Sequence, residues 1–189
     1  MKVPLTQADY TAAAERLGCD VAAIHAVADV EAPMGGFIDD VRPTILFERH
    51  IFSKITNGVY DEQHPSISNK KPGGYVGGTG EHNRLRAAAY LNRRAALMSC
   101  SWGKFQIMGF NYAQCGFEGI QEFVNAMYQS EQAQLRAFTA FLMRAGMLAP
   151  LRERDWSTFA LLYNGPNYRK NRYDEKLREA YLRRRGHVD

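Results

Sequence analysis

The sequence predicts a mainly α fold: one helical domain with a small irregular and β segment around residues 36–80. Three observations carry this. Apolar residues recur at helical spacing over most of the chain. Residues that start and stop helices stand at the ends of those stretches. One stretch, from Asn57 to Gly80, is rich in glycine and proline and fits neither period. A chain of 189 residues is long enough to bury one substantial core, and no repeat, low-complexity tract or interdomain linker divides it.

The elements follow in order. Thr6 with Asp9 three residues later forms a capping-box signature, and Gly18 is a stop, so a helix is expected over 7–17. Asp20 caps a second helix reaching Glu31, which Pro33 and Gly35-Gly36 end. Thr44–Phe47 is β-branched and apolar, hence a short strand, and Arg49–Thr56 turns helical before Asn57-Gly58. The connection from Asn57 to Gly80 holds Pro65, Pro72 and glycines 73, 74, 77, 78 and 80. A connection this long in a compact domain is functional or mobile, and its Tyr60 and Tyr75 suit either sugar stacking or packing. Glu81–Met98 reads as helix. Ile120, Phe123, Val124 and Met127 mark the next helix, and Leu135, Phe138 and Leu142 another, with Gly146 as its stop. Asp155 caps a helix through Tyr163 that Asn164-Gly165-Pro166 ends, and a final amphipathic helix spans 174–184, its stripe formed by Tyr173, Leu177, Ala180, Tyr181 and Val188.

Composition narrows the function classes. No apolar run approaches the roughly 18 residues of a membrane span. Thr6, Gln7 and Asp9 stand where a signal peptide would be apolar, so no secretory signal is visible. Cys19, Cys100 and Cys115 are odd in number and lack metal-site spacing, which fits reduced thiols, although a disulfide between two of them stays open. His25, His50, His64, His82 and His187 are scattered, with no His-Glu-x-x-His pattern, so no metal or other cofactor is expected. The net charge is +4, and the basic residues crowd toward the end at Arg169, Lys170, Arg172, Lys176, Arg178 and Arg183–Arg185. Such an end suits anionic polymers; the plainer reading is a solvated helix whose basic last turn complements its own dipole. No aromatic-basic reading motif accompanies the charge, so specific nucleic-acid binding is not expected.

Glu31 is singled out by its place. It follows Val27 by four residues and Ile24 by seven, so it projects from the same helical face as those apolar groups. A carboxyl on a buried stripe at a helix C-terminus resists ionisation on both counts. That is the property of a general acid working near neutral pH. Spacing alone favours a carboxylate turned into solvent at a frayed helix end; the motifs elsewhere in the chain reverse that preference. Glu48 follows the apolar Ile45–Phe47 run and is a second candidate carboxylate, for positioning substrate or water; Asp39 and Asp40 compete with it, and Glu48-Arg49 also reads as a structural ion pair.

Three segments then combine: Val30-Glu31-Ala32, Ser101-Trp102-Gly103-Lys104-Phe105-Gln106-Ile107, and Tyr163-Asn164-Gly165-Pro166. The second resembles the Ser-x-Gly-Leu-Met-Gln-Ile segment of goose-type lysozymes and lytic transglycosylases, with Lys104-Phe105 in place of Leu-Met. The third resembles their Ala-Tyr-Asn-x-Gly segment, with Leu162 for alanine and the glycine one residue early. With Ala26–Phe37, Pro43–Phe52 and Tyr163–Tyr168, the whole chain resembles the phage-type N-acetylmuramidase endolysin family.

The resemblance implies a lysozyme-like fold and an N-acetylmuramidase domain. Members of the family often carry a separate wall-binding module before it. The pattern here starts almost at Met1, so a single catalytic domain over 1–189 is expected, either a whole lysin or the catalytic part of one. It implies hydrolysis of the β-1,4 bond between N-acetylmuramic acid and N-acetylglucosamine, with Glu31 as general acid. Ser101, Gly103, Gln106, Tyr163 and Asn164 would bind substrate, with Tyr163 hydrogen-bonded near the acid. The implied partners are peptidoglycan strands, the anionic bacterial envelope and a holin or similar pore. The pore would carry a monomer made in the host cytoplasm to periplasmic peptidoglycan. The alternatives are a lytic transglycosylase that leaves anhydro-muramic ends, and a non-catalytic helical protein that binds cell wall or nucleic acid.

Overall fold

The computed structural model describes residues 2–33 and 35–186; His187 and Val188 lie outside them. The fold is mainly helical with one small antiparallel sheet. Helix α1 (Gln7–Leu17) opens with the capping box, Thr6 and Asp9 satisfying each other's backbone N–H, and ends on Gly18 at φ +60°. Asp20 caps α2 (Val21–Glu31) by accepting from the Ala22 N–H. The interior of α2 is alanine, isoleucine and valine, and six of its residues are buried. Glu31 is thus delivered by one of the most deeply packed elements.

Strand β1 (Ile45–Phe47) leads into the short helix α3 (Arg49–Ile55). Its sheet partners come from outside the 36–80 region: β2 (Cys100–Trp102) and β3 (Ile107–Met108) form a hairpin, in the order β1-β2-β3. Ile45 faces Trp102 and Phe47 faces Cys100, so the sheet's buried side joins the core. The hairpin is hard to see in the sequence because its strands are two or three residues long and carry no alternation long enough to register.

The 57–80 connection is turn-rich, and its backbone is tied down. Asp61 accepts from Ser53 and Ser68 at 2.9 and 2.5 Å. Helix α4 (Gly80–Met98) departs from the single helix expected: Asn92 leaves helical geometry at φ −154°, ψ +99°. Its Oδ1 accepts from the Ala95 N–H at 2.9 Å and re-caps the second half. The Leu91 carbonyl freed by the kink accepts from the Tyr60 hydroxyl at 2.9 Å, so that tyrosine satisfies the helix rather than awaiting a sugar.

Helices α5 (Ile120–Gln129) and α6 (Glu131–Arg144) bury the stripes the sequence marked. A further helix, α7 (Leu148–Glu153), was hidden by Pro150, which sits in the first turn, where a missing N–H costs nothing. Helix α8 (Trp156–Asn164) follows the Asp155 cap. The last helix, α9 (Tyr173–Arg185), packs on α2: Tyr181 donates to Asp20 at 2.8 Å, and Arg184 makes two 2.7 Å bonds to Asp29. All three cysteines are free thiols, and burial pushes the Cys115 thiol up to about 12.

Candidate active site

Glu31 is the last residue of α2, and its partner comes from the far end of the chain. Asn164, the last residue of α8, donates Nδ2 to Glu31 Oε1 at 2.8 Å. Gly165 makes this placement possible, since it ends the helix at φ +82°, open to glycine without strain. The residue Glu31 keeps some exposed surface, but its carboxyl group is surrounded by protein. Burial raises its pKa to about 7, against smaller opposing effects from the Asn164 hydrogen bond and the Lys176 charge. A carboxyl half-protonated near neutral pH can donate a proton where an ordinary glutamate cannot.

Tyr163, expected beside the acid, directs its hydroxyl elsewhere, to the carbonyl of Phe105. Its ring stacks on Phe159 at 5.4 Å and meets Phe138 and Phe141 edge-on. Phe105 stacks on Phe138 at 4.2 Å. This aromatic cluster fixes α8 against the β2–β3 turn. Tyr163 therefore aims its neighbour Asn164, and Asn164 makes the contact to the acid. Burial first, and then the Glu31 charge, push the Tyr163 hydroxyl well up, so it remains a donor.

The segment Ser101–Ile107 is the hairpin turn itself. Ser101 Oγ donates to Gln106 Oε1 at 2.7 Å, and Gln106 Nε2 donates to the Gly103 carbonyl at 2.8 Å. Gly103 sits at φ +70° and Gln106 at φ +45°. A Cβ on Gly103 would stand 2.6 Å from Gln134 Cδ, so both backbone and space demand glycine. Ser101, Gly103 and Gln106 come together as the internal frame of this turn, their polar groups already engaged. Trp102 is buried and donates Nε1 to the Leu97 carbonyl. Lys104 reaches Glu131 at 3.5 Å.

Glu48 lies just before α3. The Tyr75 hydroxyl donates to its two oxygens at 3.0 and 2.9 Å. His50 Nδ1 stands 3.1 Å from Glu48 Oε2 but is turned so that no hydrogen bond forms. Arg49 turns instead to the carbonyls of Lys71 and Pro72, so no Glu48–Arg49 ion pair forms among the described residues. Asp39 pairs with Arg42 at 2.6 Å. His50, Met108, Phe110, Tyr163, Asn164 and Asn167, among others, line a cavity of about 650 Å³, which reaches a neighbour of each carboxylate but is not lined by Glu31 or Glu48 themselves. The buried side-chain atoms without a partner, among the described residues, are His50 Nδ1 and Asn164 Oδ1. Both belong to residues of this cavity, one beside each carboxylate. Both carboxylates act on Tyr173: burial, then Glu31, then Glu48 push its hydroxyl up.

An N-acetylmuramidase family model matches residues 20–185, which holds Glu31, the hairpin turn and Asn164. The chain belongs to the N-acetylmuramidase family. Among solved structures it is similar to the endolysin of Burkholderia phage AP3, with 43% sequence identity and a TM-score of 0.86 over 98% of this chain and 72% of that one. Comparison with curated proteins returns no match. Membership places the chain among glycoside hydrolases of the muramidase type, which act on peptidoglycan.

The muramidase site also depends on residues that the sequence reading passed over. Glu131 accepts from the N–H groups of Gly36 and Leu5 at 2.8 and 3.0 Å. Gln134 accepts from Lys104 N–H at 2.8 Å and donates to the carbonyls of Gly36 and Met127. Together they bind the turn after α2 to the hairpin turn. A signal was available: Glu131 lies four residues before Leu135, and Gln134 four before Phe138, so both are polar residues on a buried stripe. Among the described residues, no group of three His, Cys, Asp or Glu side chains could hold a metal ion.

Proposed function

We propose that this muramidase is an endolysin that hydrolyses the β-1,4 bond between N-acetylmuramic acid and N-acetylglucosamine, with Glu31 as general acid. The observation that carries the reading is the Glu31 carboxyl, whose pKa burial raises to about 7, contacted by Asn164 at the edge of the cavity. Protonated, Glu31 donates to the departing glycosidic oxygen as the bond to the muramic carbon breaks. Asn164 holds the carboxyl by one oxygen, which leaves the other to deliver the proton. Glu48 orients the attacking water, whose oxygen bonds to the anomeric carbon while one of its protons passes to bulk water, so that the proton Glu31 gave to the leaving oxygen is replaced from solvent. The unpaired His50 Nδ1 and Asn164 Oδ1 are free to hydrogen-bond a sugar substituent or that water. Ser101, Gly103 and Gln106 contribute by shaping the wall, and Tyr163 by aiming Asn164.

The same reading assigns the wider setting. The chain works as a monomer and reaches periplasmic peptidoglycan through a pore made by a partner such as a holin. The positive charge of α9 draws it to the anionic envelope. Similarity to the AP3 protein, a phage endolysin, supports the endolysin reading from which this setting follows. The experiment is turbidity clearing of purified sacculi by wild type and Glu31→Gln. A folded Glu31→Gln that clears at the normal rate removes Glu31 from the role of acid.

A further inference from the structure

The part of the 57–80 connection that carries Tyr75 is pinned on both sides. On one side, Arg49 donates Nε to the Lys71 carbonyl at 2.9 Å and Nη2 to the Pro72 carbonyl at 3.2 Å. On the other, the N–H groups of Val76 and Gly77 donate to Glu81 Oε1 at 2.8 and 3.1 Å. Glu81 is itself buried and bonded to Arg84 at 2.9 Å, so this second anchor is rigid. Between the anchors, Gly73 and Gly74 run at φ +100° and +75°, a path that residues with a Cβ rarely take. At Gly74 a Cβ would also stand 3.1 Å from Arg49 Nη1. The path ends with the Tyr75 hydroxyl on both oxygens of Glu48 while the residue stays 46% exposed. Among the described residues, Tyr75 is the side chain that hydrogen-bonds Glu48, because His50 is misaligned. An aromatic ring held open to solvent beside a carboxylate whose neighbour His50 lines the cavity combines two uses: one edge fixes the carboxylate, and the face is available to a sugar ring.

We propose that Tyr75 is a positioning residue of the muramidase reaction, its hydroxyl aiming the Glu48 carboxylate and its exposed face stacking on a sugar of the bound strand. This rests on the reading of Glu48 given above. Burial, with Glu48 beside it, pushes the Tyr75 hydroxyl up to about 12, so it stays a donor wherever the enzyme works.

The two roles separate in steady-state kinetics on a short soluble peptidoglycan oligomer. Tyr75→Phe keeps the ring and removes the donor, so kcat should fall about 10-fold with KM unchanged. Tyr75→Ala should lose the same kcat and raise KM about 3- to 10-fold as well. Adding Tyr75→Phe to Glu48→Gln should slow the enzyme little further, because both changes act on one group. Wild-type kcat in Tyr75→Phe alongside a slow Glu48→Gln overturns the inference alone, as does a Tyr75→Phe effect that multiplies fully with Glu48→Gln. Unchanged KM in Tyr75→Ala overturns the stacking role. Wild-type turnover in Glu48→Gln overturns the reading of Glu48, and the inference with it.

Discussion

Glu31 is stabilised as an acid at a cost to the fold, and the sign of that cost is testable. The folded protein holds this proton to about pH 7, whereas an unperturbed glutamate loses it near 4.5. Between those values the unfolded state binds fewer protons than the folded one, so stability falls as pH rises through the window. Above it, the ionised carboxylate costs on the order of 3 kcal/mol, less where cleft water reaches the group. Glu31→Gln keeps the Asn164 hydrogen bond and removes the charge. Its melting temperature should therefore match wild type below about pH 4.5 and exceed it at about pH 8, while wall clearing falls at least ~100-fold. Thermal melts across pH read this directly; a variant less stable than wild type at high pH would deny the burial of the carboxyl. Lys176 lowers the Glu31 pKa through its charge. Lys176→Gln should accordingly move the alkaline limb of the pH–activity profile upward, and an unchanged or lowered limb would contradict that coupling.

Elements at this site were legible to different degrees, for physical reasons. The caps at Thr6, Asp20 and Asp155 announced α1, α2 and α8, because capping is local chemistry within three residues. The β2–β3 hairpin was marked by its motif and not by its strands, since its turn geometry is set by contacts of Gly103 and Lys104 to Gln134, 31 and 30 positions away. Gly103→Ala tests that geometry. Added backbone strain and a clash with Gln134 should lower stability by about 2–4 kcal/mol, read as a reduced denaturation midpoint; a near-neutral effect would mean the turn is plastic. The last helix forms where it was expected. Its basic residues are far in sequence from the catalytic segments, yet α9 packs on α2, the helix of Glu31, through the Arg184–Asp29 pair. Replacing Arg183, Arg184 and Arg185 with glutamine should weaken binding to sacculi and flatten its salt dependence. Loss of the half-exposed Arg184–Asp29 pair should cost no more than about 1 kcal/mol of stability. Binding that ignores salt in the wild type would remove the electrostatic role.

Across the whole molecule, the candidate site draws on segments near positions 31, 48, 75, 104 and 164, and an aromatic cluster fixes the last two against each other. That assembly explains why single motifs were weak in the sequence and informative in combination. The pairing of Asn164 with Glu31 spans 133 positions; no local pattern encodes it, and only the order of three segments hinted at it. That Asn164, and not Tyr163, is the acid's partner was likewise invisible, because which of two adjacent residues faces α2 depends on the packing of Phe105, Phe138 and Phe159. The central claim is hydrolysis at muramic acid through the Glu31 proton, and the most direct test is mass spectrometry of soluble products from purified sacculi, before and after borohydride. Wild type should release fragments with reducing muramic ends that gain two hydrogens on reduction, and folded Glu31→Gln at the same concentration should release none. Anhydro ends that resist borohydride, or the same reducing products from folded Glu31→Gln, would contradict it.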